Sequence, residues 1–159
     1  VFIEMPLDVQ GAQVDWEALP IAEVHASPST DVAVFVDQIV SLLRKASRPS
    51  ILLGGGLSWK TCQRLQKVLQ ALELPIFTTW NAFDRLCSSS PNYFGRPNTW
   101  GQRYSNILIQ QSDLLIVLGS RLGMQQTGFN WKAFLKQGDI VQVDIDPHEL
   151  NKGHPVVKL

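Results

Sequence analysis

The sequence predicts a single α/β domain: a parallel, Rossmann-like sheet with helices on both faces. Short apolar runs stand at 50–53, 114–118 and 140–143, and such runs are typical of strands covered on both sides in a parallel sheet. Segments whose apolar residues recur at helical spacing lie between them, so strand and helix alternate along the chain. Strands joined this way form right-handed crossovers.

Residues 5–29 carry Pro6, Gly11, Pro20 and Pro28 without periodicity, which suits an extended linker over 1–29 leading into a packed domain over 30–159. Ser29-Thr30-Asp31 is a helix N-cap signal. Val32, Phe35, Val36, Ile39, Val40, Leu43 and Ala46 follow it at i, i+3, i+4, i+7 spacing, predicting an amphipathic helix that ends near Lys45. Pro49 breaks the chain, and Ser50–Leu53 reads as a buried strand closed by Gly54, Gly55 and Gly56. A second helix over Lys60–Leu72 groups Leu65, Val68, Leu69 and Leu72, and Pro75–Thr79 is the next strand. Past a Ser/Pro-rich loop at 88–91, a helix from about Trp100 takes Tyr104, Ile107 and Leu108 as its inward stripe. Leu114–Leu118 is the clearest strand, and Ile140–Asp144 repeats its design. Val1–Pro6 and Pro155–Leu159 also read as strands, and with a first residue other than methionine they suggest a piece of a longer polypeptide.

Composition removes several functional classes. A 159-residue chain with 45% hydrophobic content supports one core. Fourteen Lys and Arg balance fourteen Asp and Glu, so no global field draws the chain to nucleic acid or to an anionic membrane. No run approaches the roughly 20 apolar residues of a bilayer span, and Val1–Pro6 lacks the basic flank and apolar stretch of a signal peptide. Cys62 and Cys87 stand alone, without zinc or disulfide spacing, which points to a reducing cytoplasm.

Ligands of open α/β sheets bind beyond the carboxyl ends of the strands, so the residues after each run are the candidates. Gly54, Gly55 and Gly56 precede a helix, where backbone N–H groups can approach a phosphate; a tight turn explains them equally well. The G-x-G-x-x-G pattern fails, because Trp59 holds the third glycine's place and no acid follows the next strand to hold a ribose, which disfavours NAD dehydrogenase chemistry. Thr79 and Trp80 close the second strand as dinucleotide contacts or as simple strand-end caps. Gly119-Ser120-Arg121 places a guanidinium suited to a pyrophosphate, or merely on the surface. Asp144 and Asp146 flank Ile145, but Asp146-Pro147-His148-Glu149 is a good helix start, leaving Asp144 as the freer group for ribose or adenine. No third acid or histidine completes a metal site there. His25, His148 and His154 show no triad spacing, and no catalytic group emerges from the chain.

Taken in order, Ile51–Gly56, Pro75–Asn81, Gly95-Arg96-Pro97 with Trp100-Gly101, Leu118–Leu122 and Val143–Pro147 resemble the central domain of thiamine diphosphate-dependent enzymes of the acetolactate synthase type. Val1–Gln10 is similar to that family's exit from a preceding pyrimidine-binding domain. The resemblance spans nearly the whole chain. It implies a parallel sheet of about six strands, lying between pyrimidine- and diphosphate-binding domains of the same chain, in a protein that assembles as a homo-oligomer.

The resemblance further implies that thiamine diphosphate and Mg2+ are bound outside this segment, which is not catalytic alone. The parent would act on a 2-oxo acid such as pyruvate and pass the decarboxylated fragment to an acceptor. Within this domain it implies FAD or ADP, with Gly54, Gly55, Gly56, Thr79, Trp80, Trp100, Gly101, Gly119, Arg121, Gln125, Asp144, Ile145 and Asp146 at the family's contact positions. The chain departs from that pattern in two places. Trp100 replaces a usual histidine, and Gly119–Gly128 lacks the two acids and second arginine that flavin-binding members carry. The departures favour an alternative: a ligand-free scaffold that organises the flanking domains.

Overall fold

A computed structural model describes residues 2–20 and 31–159. Its elements are α1 (Leu7–Gln10), α2 (Val32–Lys45), β1 (Pro49–Leu53), α3 (Trp59–Ala71), β2 (Ile76–Thr78), α4 (Arg103–Gln110), β3 (Leu114–Leu118), α5 (Met124–Thr127), β4 (Asp139–Val143) and α6 (Pro147–Leu150). Single 3₁₀ turns cover Trp80–Ala82 and Trp131–Ala133. The four strands are all parallel, in the order β2-β1-β3-β4.

The expected sheet of about six strands is therefore corrected to four among the described residues. Both outer edges nevertheless carry a short extended segment. Beside β2, Ile76 N–H donates to Asn92 O at 2.8 Å and Phe94 N–H to Ile76 O at 2.9 Å. Beside β4, Lys158 N–H donates to Ile140 O at 2.8 Å and Gln142 N–H to Leu159 O at 2.9 Å. Two bonds align a segment without making a ladder, which is why the run at 155–159 is extended but not a strand. Residues 2–6 are exposed and form no strand either; their backbone leads into the single exposed turn of α1. The Ser29-Thr30 part of the cap signal and His25 lie outside the described residues.

Alternation along the strands divides the core into two layers. Ile51, Leu53, Ile76, Leu114, Ile116 and Val141 face α2 and α3, against Phe35, Ile39, Leu42, Leu43, Leu69 and Leu72. Leu52, Phe77, Leu115, Val117 and Ile140 face the other way, against Leu108 and Ile109 of α4 and Phe134 and Leu135. The Asp31 carboxylate accepts the N–H groups of Ala33 and Val34, so α2 starts where its cap signal ends.

Helix faces are set by the sheet rather than by the full apolar stripe. Val32, Val36 and Val40 of α2 and Leu65 and Val68 of α3 are exposed, while Cys62 and Leu69 form the buried face of α3. On α4 the expected stripe shifts by one position: Tyr104 and Ile107 are exposed, Leu108 is half-buried, and Ser105 and Ile109 point inward. The reason is a pair of polar anchors. Ser105 Oγ donates to Phe94 O, and Asn106 Nδ2 donates to Asn98 O at 2.9 Å, which fixes the rotation of the helix.

Asp113 ties the amino ends of β1 and β3 together. Its carboxylate accepts Ser47 N–H and Arg48 N–H, each at 2.8 Å, and its own N–H donates to Arg48 O. Desolvation raises this carboxyl's pKa, but the two N–H donors and the Arg48 guanidinium outweigh it and leave the group below the ordinary aspartate value. A folded carboxyl that is the stronger acid contributes fully at neutral pH and loses that contribution as the pH falls through its folded pKa. Asp113→Asn is therefore expected to lower stability at pH 7 by less than about 1 kcal/mol, given solvent screening. Its melting temperature should converge with the wild type's as the pH falls below about 4. Melting curves from pH 7 to pH 3 test this, and a constant gap across that range would refute it.

Candidate functional site

The chain leaves β1 through α3 to β2 on one side, then returns across β1 to β3 on the other. This reversal opens a crevice between the carboxyl ends of β1 and β3, the place where doubly wound sheets bind ligands. A cleft of about 780 Å³ lies there. Its lining includes nine of the thirteen candidates: Gly55, Gly56, Thr79, Trp80, Gly119, Arg121, Gln125, Asp144 and Ile145. Gly54, Trp100, Gly101 and Asp146 do not line it.

Each of those four has a local reason for its position. A Cβ on Gly54 would overlap the Gly119 carbonyl oxygen and stand 2.6 Å from Ser120 Cβ, so this glycine lets the two strand-end loops touch. A Cβ on Gly101 would likewise overlap Arg96 O and come within 2.7 Å of Asn98 N. Asp146 caps α6, accepting His148 N–H at 2.9 Å, as the sequence suggested. Trp100 pairs with Trp80 at a centroid separation of 6.3 Å and a tilt of 52°. Both indoles are more than half exposed, presenting an aromatic surface at the cleft mouth.

Loop-on-loop contact builds the cleft floor. Gly54 N–H donates to Leu118 O at 2.8 Å, and Gly56 N–H donates to Gly119 O at 2.9 Å. Gly119 adopts φ +64°, a conformation that favours glycine. Leu122 follows at φ +48°, unusual for leucine; its side chain is buried in the α4-side core, which holds the backbone there. Lys152 Nζ donates to Arg121 O and to Glu149 Oε2, the latter at 2.6 Å. Lys152 and Glu149 thus neutralise each other, leaving Arg121 and Asp144 as the cleft-lining charges without an ion pair among the described residues. Asp144 Oδ1 accepts Asp146 N–H at 3.0 Å, so the carboxylate is oriented by its own loop.

Charges of opposite sign at two places suit a ligand with an anionic part and a hydroxyl-rich part. An arginine serves phosphate and an aspartate serves a ribose diol. Among the described residues no group of three acids, histidines or cysteines is placed to hold a metal ion. His148 is exposed on α6, and His154 stacks on Trp131 at 3.8 Å beside a second cleft near β4. No described helix is long and apolar enough to cross a membrane.

Sequence reasoning missed Asn98, Gln126, Glu149 and Lys152, which also line the cleft. Asn98 and Lys152 sit in loops, Gln126 in the single turn of α5 and Glu149 in that of α6, all without periodicity, and only the meeting of these segments in the fold brings them to the site.

Comparison with known proteins places this architecture. Residues 36–159 match the family model described as thiamine pyrophosphate enzyme, central domain. The chain is 33% identical over 153 residues to the acetolactate synthase isozyme 1 large subunit of Escherichia coli K12, covering 96% of this chain and 27% of that protein. It is 31% identical over 157 residues to a probable chloroplastic acetolactate synthase 2 of Oryza sativa subsp. japonica, covering 96% and 23%. It is 30% identical over 155 residues to the acetolactate synthase large subunit of Corynebacterium glutamicum, covering 96% and 25%. The chain spans about a quarter of the length of these relatives. With its parallel sheet and a match that runs from α2 to the last residue, the chain belongs to the thiamine pyrophosphate enzyme family, as its central domain.

Proposed function

We propose that this chain is the nucleotide-binding middle domain of a thiamine diphosphate- and Mg2+-dependent carboligase or decarboxylase that acts on a 2-oxo acid such as pyruvate. The family membership supports the parent chemistry, and the similarity to acetolactate synthase large subunits supports the acetolactate synthase direction. When bound, thiamine diphosphate supplies the nucleophilic carbon that makes a 2-oxo acid decarboxylate. Its binding groups belong to the flanking pyrimidine- and diphosphate-binding domains, in a homo-oligomer of the cytoplasm. The two free cysteines are compatible with a reducing compartment.

This domain's own part is to hold FAD or ADP in the switch-point cleft. The observation that carries the reading is that Arg121 and Asp144, neither of them in an ion pair among the described residues, line one cleft whose floor is glycine backbone. Arg121 would take the diphosphate, Asp144 the ribose, and the exposed Trp80–Trp100 surface would stack against a flat ring. Calorimetric titration of the protein with ADP and with FAD is expected to give saturable heat at one site. Absence of heat with both removes nucleotide binding and leaves the fold untouched.

A second reading, a ligand-free scaffold, has its own support. The close approaches of Gly54 and Gly56 to Gly119 are chain-on-chain contacts, so those glycines need no ligand to explain them. Denaturing the purified parent protein separates the two readings, since release of nucleotide would exclude the scaffold.

A further inference from the structure

A second cleft, of about 660 Å³, opens at the amino end of β4, between the loop that follows the 3₁₀ turn at 131–133 and the segment 153–158. It shares no lining residue with the switch-point cleft, so the nucleotide reading leaves it without a role. Its volume falls in the range of small-ligand pockets, roughly 300–1,000 Å³. Phe134, Leu135, Ile140 and Pro155 line it and are all buried, which makes the interior apolar. Trp131 and His154 also line it, as a stacked pair with centroids 3.8 Å apart and a tilt of 35°.

The charges around this apolar interior do not balance. Asp139 is the one acid among the lining residues, and Lys158 Nζ pairs with it at 2.5 Å. Lys132 and Lys136 line the cleft without an ion pair among the described residues. Lys132 Nζ stands 5.2 Å from the centre of the Trp131 ring, a contact that leaves its positive charge in place. Hydrogen bonds fix the loop that carries these groups: Leu135 N–H donates to Gln110 Oε1 at 2.8 Å, and Gly138 N–H donates to Leu135 O at 3.0 Å. Leu135 itself adopts φ +47°, a strained conformation for leucine, and such strain gathers at ligand sites. An apolar interior with two uncompensated cations complements one negative charge on an apolar body, and the flat indole–imidazole wall suits an aromatic body. We propose that this cleft binds a small aromatic carboxylate, its ring against the Trp131–His154 wall and its carboxylate drawn to Lys132 and Lys136.

The test titrates the full chain with indole-3-acetate and with its neutral amide, indole-3-acetamide, followed by NMR. The acid should move the Trp131 indole N–H and His154 ring signals saturably while the Trp80 and Trp100 indole signals at the other cleft stay in place. The amide should bind more weakly by roughly fivefold or more, and Lys132→Gln/Lys136→Gln should weaken the acid to the same extent without changing its effect on the amide. Raising the salt concentration on the wild-type protein supplies a readout that needs no variant, since it should weaken the acid and spare the amide. Equal affinity for acid and amide, wild-type affinity in the double variant, shifts at Trp80 and Trp100 in place of Trp131, or no shift at Trp131 and His154 would each overturn the proposal. None of these outcomes bears on the nucleotide reading, which concerns the other cleft.

Discussion

Gly54→Ala is expected to destabilise the domain by about 3 kcal/mol, because the added methyl has no room that a side-chain movement could create. The obstructing atoms are the Gly119 carbonyl carbon and oxygen and Ser120 Cβ, all held by main chain. Relief requires the β1 and β3 loops to separate. Separation would strain the bonds from Gly54 N–H to Leu118 O and from Gly56 N–H to Gly119 O. For a domain of this size the melting temperature should drop by roughly 6–12 °C. Gly123→Ala is the matched control on the same cleft, since a Cβ there meets nothing within 4 Å. Equal melting temperatures for the two variants would show that the close approach at Gly54 does not exist in solution.

Phe77→Ala should cost roughly 3–5 kcal/mol, the range for emptying a large aromatic site in a packed core. Phe77 is fully buried in the layer formed with Leu52, Ile109, Leu115 and Val117, with Phe94 packed against that layer. Its neighbours Ile76 and Thr78 are also fully buried, so the strand offers no exposed side into which the structure could relax. Phe77→Leu keeps most of the volume and should lose a much smaller share. Urea unfolding decides the matter: the midpoint should fall steeply for alanine with the slope preserved, and similar midpoints for alanine and leucine would contradict the packing described here. The effect reaches the site as well, because β2 ends immediately before Thr79 and Trp80.

Much of this fold is readable from local pattern. The bounds of α2 follow from the Asp31 cap and the break before Pro49. The four strands fall on four of the six segments read as strands, the four that are covered on both faces and so need nearly every side chain to be apolar. Asp146 is legible as a cap for the same local reason: its carboxylate bonds two residues ahead. The inward faces of α3 and α4 are not legible. Leu65, Val68, Tyr104 and Ile107 are as apolar as the residues that are buried, and hydrophobicity alone cannot choose among adjoining stripes. For α4 the choice is made by Ser105 and Asn106 bonding to carbonyls in the preceding loop.

The candidate site divides along the same line. The sequence by itself determined the strand-end residues, and hence Gly55, Arg121 and Asp144, because each follows directly on a run that period and composition identify. It also carried the order of motifs that the family match bears out. Only the tertiary structure decided that Gly54 and Gly101 serve chain-on-chain contacts, that Lys152 neutralises Glu149, and that Asn98 is buried in the cleft with an unpaired donor. These are contacts between segments far apart in the chain, set by how the loops after β1, β2 and β3 meet at the switch point. No local periodicity encodes such a meeting, because it depends on the strand order, which reverses at β1.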